Sequence, residues 1–280
     1  MMRRSQSQTP TTSHRLKQLH ALVEHELARA LVSPTLGPRL IEQAMRYCVF
    51  SGGKRFRPLL CVGACEAVGG RARQALPVAC AIELIHTYSL VHDDLPAMDD
   101  ADERRGKPSC HRKYGEGHAI LVGDALLTRA FEWLSRDGTP NTLGIIRTLG
   151  RASGTSGLIG GQVLDLEAAR SRRPLLAPAL REIAKRKTAA LIAASVEAGA
   201  MAGGATSQQL ARLRRYGRTV GLAFQLLDDV HDREGFAAVM GAADARKSAR
   251  RLLAQAQRAI APLGARAALL RELAAWLART

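Results

Sequence analysis

The chain has 280 residues, 46% of them hydrophobic, a formal charge of +16 and five cysteines. That is enough apolar material for a sizeable core, yet no apolar run reaches the roughly 20 residues of a membrane span and no signal core follows the N-terminal arginines, so a cytoplasmic globular protein without stable membrane insertion is expected. The charge calls for acidic partners, but an aromatic content of 4% and arginines scattered over many segments argue against nucleic acid, and an odd cysteine count with no Cys-x-x-Cys pair argues for buried reduced thiols.

Met1 to Ser13 is Ser/Thr/Gln-rich and reads as a tail, with residues 14–280 as one domain. From His14 to Leu31 apolar residues recur at helical spacing and Ser33-Pro34 marks a stop. A second helix covers Arg39 to Phe50. Ser51-Gly52-Gly53-Lys54-Arg55-Phe56-Arg57-Pro58 then places two glycines before three cations, ahead of a helix over Leu59 to Val68. Glycines let an anion approach the backbone, and Lys54 and Arg57 fall about one turn apart. Taken alone, the same stretch also reads as a solvated basic loop.

The next helix, Ala79 to His92, runs into Asp93-Asp94-Leu95-Pro96-Ala97-Met98-Asp99-Asp100 and then Arg104-Arg105-Gly106. Pro96 stops the helix, so carboxylates crowd its C-terminal end, where the helix dipole repels anions. Two carboxylates about 4 Å apart repel by roughly 4 kcal/mol at an effective dielectric near 20. A hard divalent cation relieves this, and Mg²⁺ is typically held by one or two carboxylates together with substrate phosphates.

Helices follow over Tyr114 to Trp133, broken after by Asp137-Gly138-Thr139-Pro140, and up to Gly150. The glycine-rich run from Gly154 to Gly161 then leads into Gln162-Val163-Leu164-Asp165 and suggests close helix packing or a ligand against backbone. Leu175 to Ala202 reads as one long helix carrying Lys185-Arg186-Lys187-Thr188. Gln208 to Asp232 is another, ending in Gln225-Leu226-Leu227-Asp228-Asp229-Val230-His231-Asp232, with Asp228 and Asp232 on one face. Phe236 to Ala261 and Arg266 to Ala278 close the chain as amphipathic helices. No segment alternates with period 2, so the fold is all-α. One acidic cluster is commonly a solvated turn. Two, each ending an apolar helix, suit a metal site shared across a cavity, with Lys54, Arg57, Arg104, Arg105 and Lys187 at hand for phosphate groups.

The motifs Gly52 to Pro58, Glu83 to His86, Val91 to Gly106, Gly123 to Leu126, Gly160 to Leu166, Lys187-Thr188 and Phe224 to Asp232 span nearly the whole chain. In that order they resemble the trans-prenyltransferase (polyprenyl diphosphate synthase) family, and among its members bacterial farnesyl diphosphate synthases. The resemblance implies a single-domain all-α isoprenoid synthase fold around a central cavity, usually a homodimer. It implies an enzyme that joins isopentenyl diphosphate head-to-tail to dimethylallyl and geranyl diphosphates. Up to three Mg²⁺ per site would be held by Asp93, Asp94, Asp99, Asp228, Asp229 and Asp232. Asp93, Asp94, Asp99, Arg104, Lys187 and Asp228 would form the catalytic set. Arg104, Lys187, Thr188 and Gln225 would hold the allylic diphosphate; Gly53, Lys54, Arg57, His86 and Arg105 the isopentenyl diphosphate.

Tyr88 lies five residues before Asp93, just over one turn deeper, and a turn rises about 5.4 Å, on the order of one prenyl unit. Its ring is expected to floor the pocket, with the small Ser89 letting a geranyl chain pass. An aromatic here, with Pro96-Ala97 inserted in the acidic motif, resembles synthases that stop at farnesyl; the alternative is a geranylgeranyl diphosphate synthase. A terpene cyclase would not need Lys54, Arg57 and Arg105. The sequence departs from the family after Asp232: only Arg233-Glu234-Gly235 stand where members carry a longer Gly-x-Asp-x-x-x-Gly-Lys-x-Thr-like loop. That loop is either natively deleted or missing from this sequence, and a native deletion would weaken catalysis and favour an impaired partner subunit.

Overall fold

Apolar periodicity dictates the helices from the first. In the computed structural model, which describes residues 14–32, 37–136, 138–171 and 176–279, α1 (His14–Ala30) buries Leu16, Leu19, Val23 and Leu27 on one face. The tail Met1 to Ser13, the stop at Ser33-Pro34, Asp137 and Leu175 lie outside the described residues. α2 (Arg39–Val49) is amphipathic; α3 (Phe56–Ala67) and α4 (Ala72–Asp93) are buried on almost every face. α4 is the one described helix long and apolar enough to cross a membrane, and most of it is inside the fold.

A two-stranded antiparallel hairpin, β1 (Glu103–Arg104) and β2 (Lys107–Pro108), follows. It is a local addition to an otherwise all-α chain: its central residues Arg105 and Gly106 both have positive φ, 56° and 73°, as a two-residue hairpin turn demands. Beyond it, α5 (Cys110–Tyr114) and α6 (Glu116–Leu134) are separated at Gly115, with φ 87°. α7 (Thr142–Ser153) and α8 (Leu158–Arg170) come next.

The single helix expected over 175–202 is instead α9 (Ala177–Ile183), a π turn (Ala184–Ala189) and α10 (Ala190–Ala202). A Cβ on Gly161 of α8 would overlap the Lys187 backbone, so the wide turn is where α8 seats. α11 (Ser207–Asp232) starts at a Thr206/Gln209 capping box. The helix expected over 236–261 breaks into α12 (Gly235–Met240) and α13 (Ala242–Ile260) at Gly241, with φ 84°. A 3₁₀ segment (Ala261–Ala267) containing Pro262 and Gly264 delays the start of α14 (Ala268–Leu277).

α10 sits at the centre, packed on α3, α4, α7 and α11, while α6 covers α4 and α13 covers α11. α4 and α11 pack on α10 far more than on each other. What joins their C-terminal ends is therefore side chains.

Candidate active site

The chain turns back sharply after α4. The Asp99 amide donates to the Asp93 carbonyl at 2.9 Å and Ala101 to that of Asp94 at 3.2 Å, which folds the acidic motif onto itself. Burial pushes the Asp93 carboxyl up to about 6; Lys187 opposes the shift, and Asp99 adds to it. Asp94 is treated differently. Its buried carboxylate accepts from Arg104 Nε at 3.0 and 3.3 Å and also from the Arg104 Nη2. The hairpin makes this possible, because β1 presents Arg104 to the helix end. Asp94 thus positions Arg104 here, where the sequence expectation made it a ligand.

The hairpin turn also fixes Arg105, whose guanidinium donates to the Gly52 carbonyl. Gly53 has φ 134°, which calls for glycine, and a Cβ there would stand 2.7 Å from Arg105 Nη1 and displace that guanidinium. Arg55, with φ 49°, ends the loop, so α3 starts at Phe56 and Lys54 is not on the helix with Arg57. The Lys54 ammonium lies 4.9 Å over the Trp276 ring. The Arg57 guanidinium lies 3.3 Å from His86 Nε2 and 5.8 Å over the Phe224 ring of α11. Burial, then the charge of Arg57, hold the His86 pKa well below its ordinary value, so the neutral imidazole accepts this bond.

Beneath the corner, buried Arg55 bonds Glu24 of α1 at 2.6 Å, Glu83 of α4 at 2.8 Å and the Val49 carbonyl at 2.7 Å. Sequence reasoning gave Arg55 no role. A glutamate three residues before His86 in an otherwise apolar helix was the available signal, because a buried carboxylate needs a cation.

On the opposite side, the π turn delivers Lys187 and Thr188. Lys187 Nζ bonds Asp165 of α8 at 2.5 Å, and Thr188 donates to Gln225 Oε1 at 2.5 Å. Gln225 in turn donates to Asp229 at 2.6 Å, and Asp229 also accepts the Phe236 amide at 2.7 Å. Asp229 is buried and committed to holding the start of α12 across a connection of only Arg233 and Glu234. Asp228 and Asp232 are exposed. Partial desolvation and the charges of Asp232 and Asp229 raise the Asp228 carboxyl, against the pull of Arg57. The structure therefore links Asp93 to Lys187 and Asp165 on one flank, and His86 to Arg57 and Asp228 on the other.

One turn down α4, Tyr88 is 5% exposed and its hydroxyl has no hydrogen-bond partner; burial raises its pKa to about 12. Its ring meets His92 edge-on at 5.9 Å. Ser89 is buried with its hydroxyl bonded back to the His86 carbonyl at 2.9 Å, so it presents little polarity.

Among the described residues no three Asp, Glu, His or Cys side chains converge on one metal position. The donor chemistry fits Mg²⁺ nonetheless. Burial first, and neighbouring carboxylates after it, raise the Asp93 and Asp228 carboxyls, so both are oxygen donors that a hard cation would favour in their charged form, and Mg²⁺ is typically held by one or two carboxylates with waters and substrate phosphate oxygens.

The family model for polyprenyl synthetase matches residues 38–250. A dimethylallyltranstransferase of Fischerella ambigua (strain UTEX 1903) is 42% identical over 263 residues, covering 86% of this chain and 76% of that protein. The chloroplastic geranylgeranyl pyrophosphate synthase 9 of Arabidopsis thaliana is 48% identical over 205 residues, 71% of this chain, but the match spans only 57% of that relative's length. The crystal structure of an FPP/GFPP synthase from Zymomonas mobilis superposes with a TM-score of 0.88 at 39% identity, covering 93% of this chain and 96% of that one. With the all-α fold shared over nearly its full length, this chain belongs to the polyprenyl synthetase family.

Proposed function

We propose that the chain makes farnesyl diphosphate, condensing isopentenyl diphosphate first with dimethylallyl and then with geranyl diphosphate, and that it requires Mg²⁺ and works as a homodimer. The observation that carries farnesyl as the end product is Tyr88, a large buried ring just over one turn below Asp93 on α4. Gly53, Lys54, Arg57, His86 and Arg105 bind isopentenyl diphosphate. Arg104, Lys187, Thr188 and Gln225 orient the allylic diphosphate. Asp93, Asp99, Asp228 and Asp232 are the residues that would hold Mg²⁺, which when bound neutralises charge on departing pyrophosphate.

In the reaction the allylic C–O bond breaks and its electron pair leaves with pyrophosphate. The double bond of isopentenyl diphosphate then attacks the allylic carbon, and a proton passes to pyrophosphate. Lys187 and Arg104 stabilise that leaving charge, while the apolar sides of the core helices exclude water from the cation. Incubation with isopentenyl and dimethylallyl diphosphates, followed by chromatography of the products, tests the reading. A C15 product supports it; a C20 product supports the second reading, a geranylgeranyl diphosphate synthase, which the chloroplastic relative favours. The commitment of Asp229 to α12 favours a third, an impaired partner subunit, recognised by no turnover from the pure protein.

A further inference from the structure

Cys48 on α2 and Cys110 at the start of α5 line one small cavity, about 20 Å³, together with Asp94, Arg104, Arg105 and Pro108. α2 packs against α5 at this point, so the two thiols face one small space. Their neighbours hold the approach. The Tyr47 hydroxyl donates to the Pro108 carbonyl at 2.7 Å and its ring meets Tyr114 edge-on at 5.6 Å. The other thiols are placed differently: Cys61, Cys65 and Cys80 are buried and directed at the carbonyls of Ala75, Arg71 and Glu26. Neither Cys48 nor Cys110 has a part in the chemistry above.

We propose that Cys48 and Cys110 are a dithiol–disulfide modification site, oxidised by hydrogen peroxide, that controls the hairpin carrying Arg104 and Arg105. One thiol is oxidised to a sulfenic acid as peroxide is reduced to water. The second thiol attacks that sulfur, the S–S bond forms, and a further water leaves; the two sulfurs lose two electrons in all. Only Ser109, whose amide is bonded to the Asp102 carbonyl at 2.8 Å, separates Cys110 from β2. Drawing the two sulfurs to covalent distance therefore pulls on β2, and with it on the Arg104–Asp94 pair across the cavity. A thiol reductant reverses the change.

The activity arm rests on the prenyltransferase reading; the bond itself does not. Reduced full-length protein is treated with hydrogen peroxide and digested without reductant. The expected result is a linked Cys48–Cys110 peptide pair, altered amide exchange over residues 103–108, and a condensation rate lower by about tenfold or more that dithiothreitol restores. Cys110→Ser, or Cys48→Ala if that variant does not fold, should keep the basal rate and lose the peroxide response. Over-oxidation of Cys48 without a linked peptide would overturn the proposal. So would a linked peptide with unchanged hairpin exchange. A chain with no prenyl transfer at all would leave the peptide and exchange readouts to decide it.

Discussion

At the scale of single residues, three positions carry separable consequences. Tyr88→Ala removes the ring below Asp93 and should lengthen the product from C15 to C20 or beyond; identical products from both proteins would place the floor elsewhere. Gly53→Ala sets a Cβ against the Arg105 guanidinium on a backbone with φ 134°, and should raise the KM for isopentenyl diphosphate more than that for the allylic substrate. Asp93 stores an electrostatic cost. Its carboxyl sits at about 6 when folded against an ordinary 3.8, so the folded state binds the proton more tightly. Stability present below about pH 4 is then lost as pH rises to about 6. Asp93→Asn should flatten that slope, raise stability at pH 7.5 by about 1–2 kcal/mol in melting curves recorded without Mg²⁺, and abolish turnover.

The sequence exposed much at this scale. Acidic runs after apolar helices, and cations beside glycines, are local chemical anomalies that spacing alone reveals. What it hid was pairing: that Asp94 is held by Arg104, Lys187 by Asp165, and Asp229 by the α12 amide, because such bonds join residues whose separation is set only by the fold.

Among elements, periodicity placed α1, α2, α6 and α11 well, but α4 starts at Ala72, seven residues before the expected Ala79, and two long helices proved broken. Gly115 and Gly241 adopt positive φ, which a hydropathy pattern does not register. The π turn at Ala184–Ala189 has no pattern signature at all; it lies where Gly161 of α8 comes against the Lys187 backbone, a contact set by the fold. The hairpin was legible in principle, since Arg105-Gly106 between charged residues suits a two-residue turn, yet strands of two residues are too short to alternate. Arg55 ties α1, the glycine loop and α4 at one buried point. Arg55→Ala leaves Glu83 buried without its cation, and should lower the stability measured by denaturant unfolding by about 3–5 kcal/mol.

For the whole molecule, α10 holds the two aspartate-tipped helices apart, and the charges of Lys187 and Arg57 bridge their ends. Ile120 and Leu121 on α6 are 46% and 57% exposed, a natural seat for the proposed homodimer; Leu121→Asp should shift sedimentation from dimer to monomer. The central claim is that Asp93 and Asp228, far apart in sequence, act on one cation-bound diphosphate. Calorimetric titration with dimethylallyl S-thiolodiphosphate, an analogue that resists ionisation, tests this with and without Mg²⁺. Tight binding is expected only with Mg²⁺, with a loss of about tenfold or more in either Asp93→Asn or Asp228→Asn. Undiminished Mg²⁺-dependent binding in Asp228→Asn would contradict it.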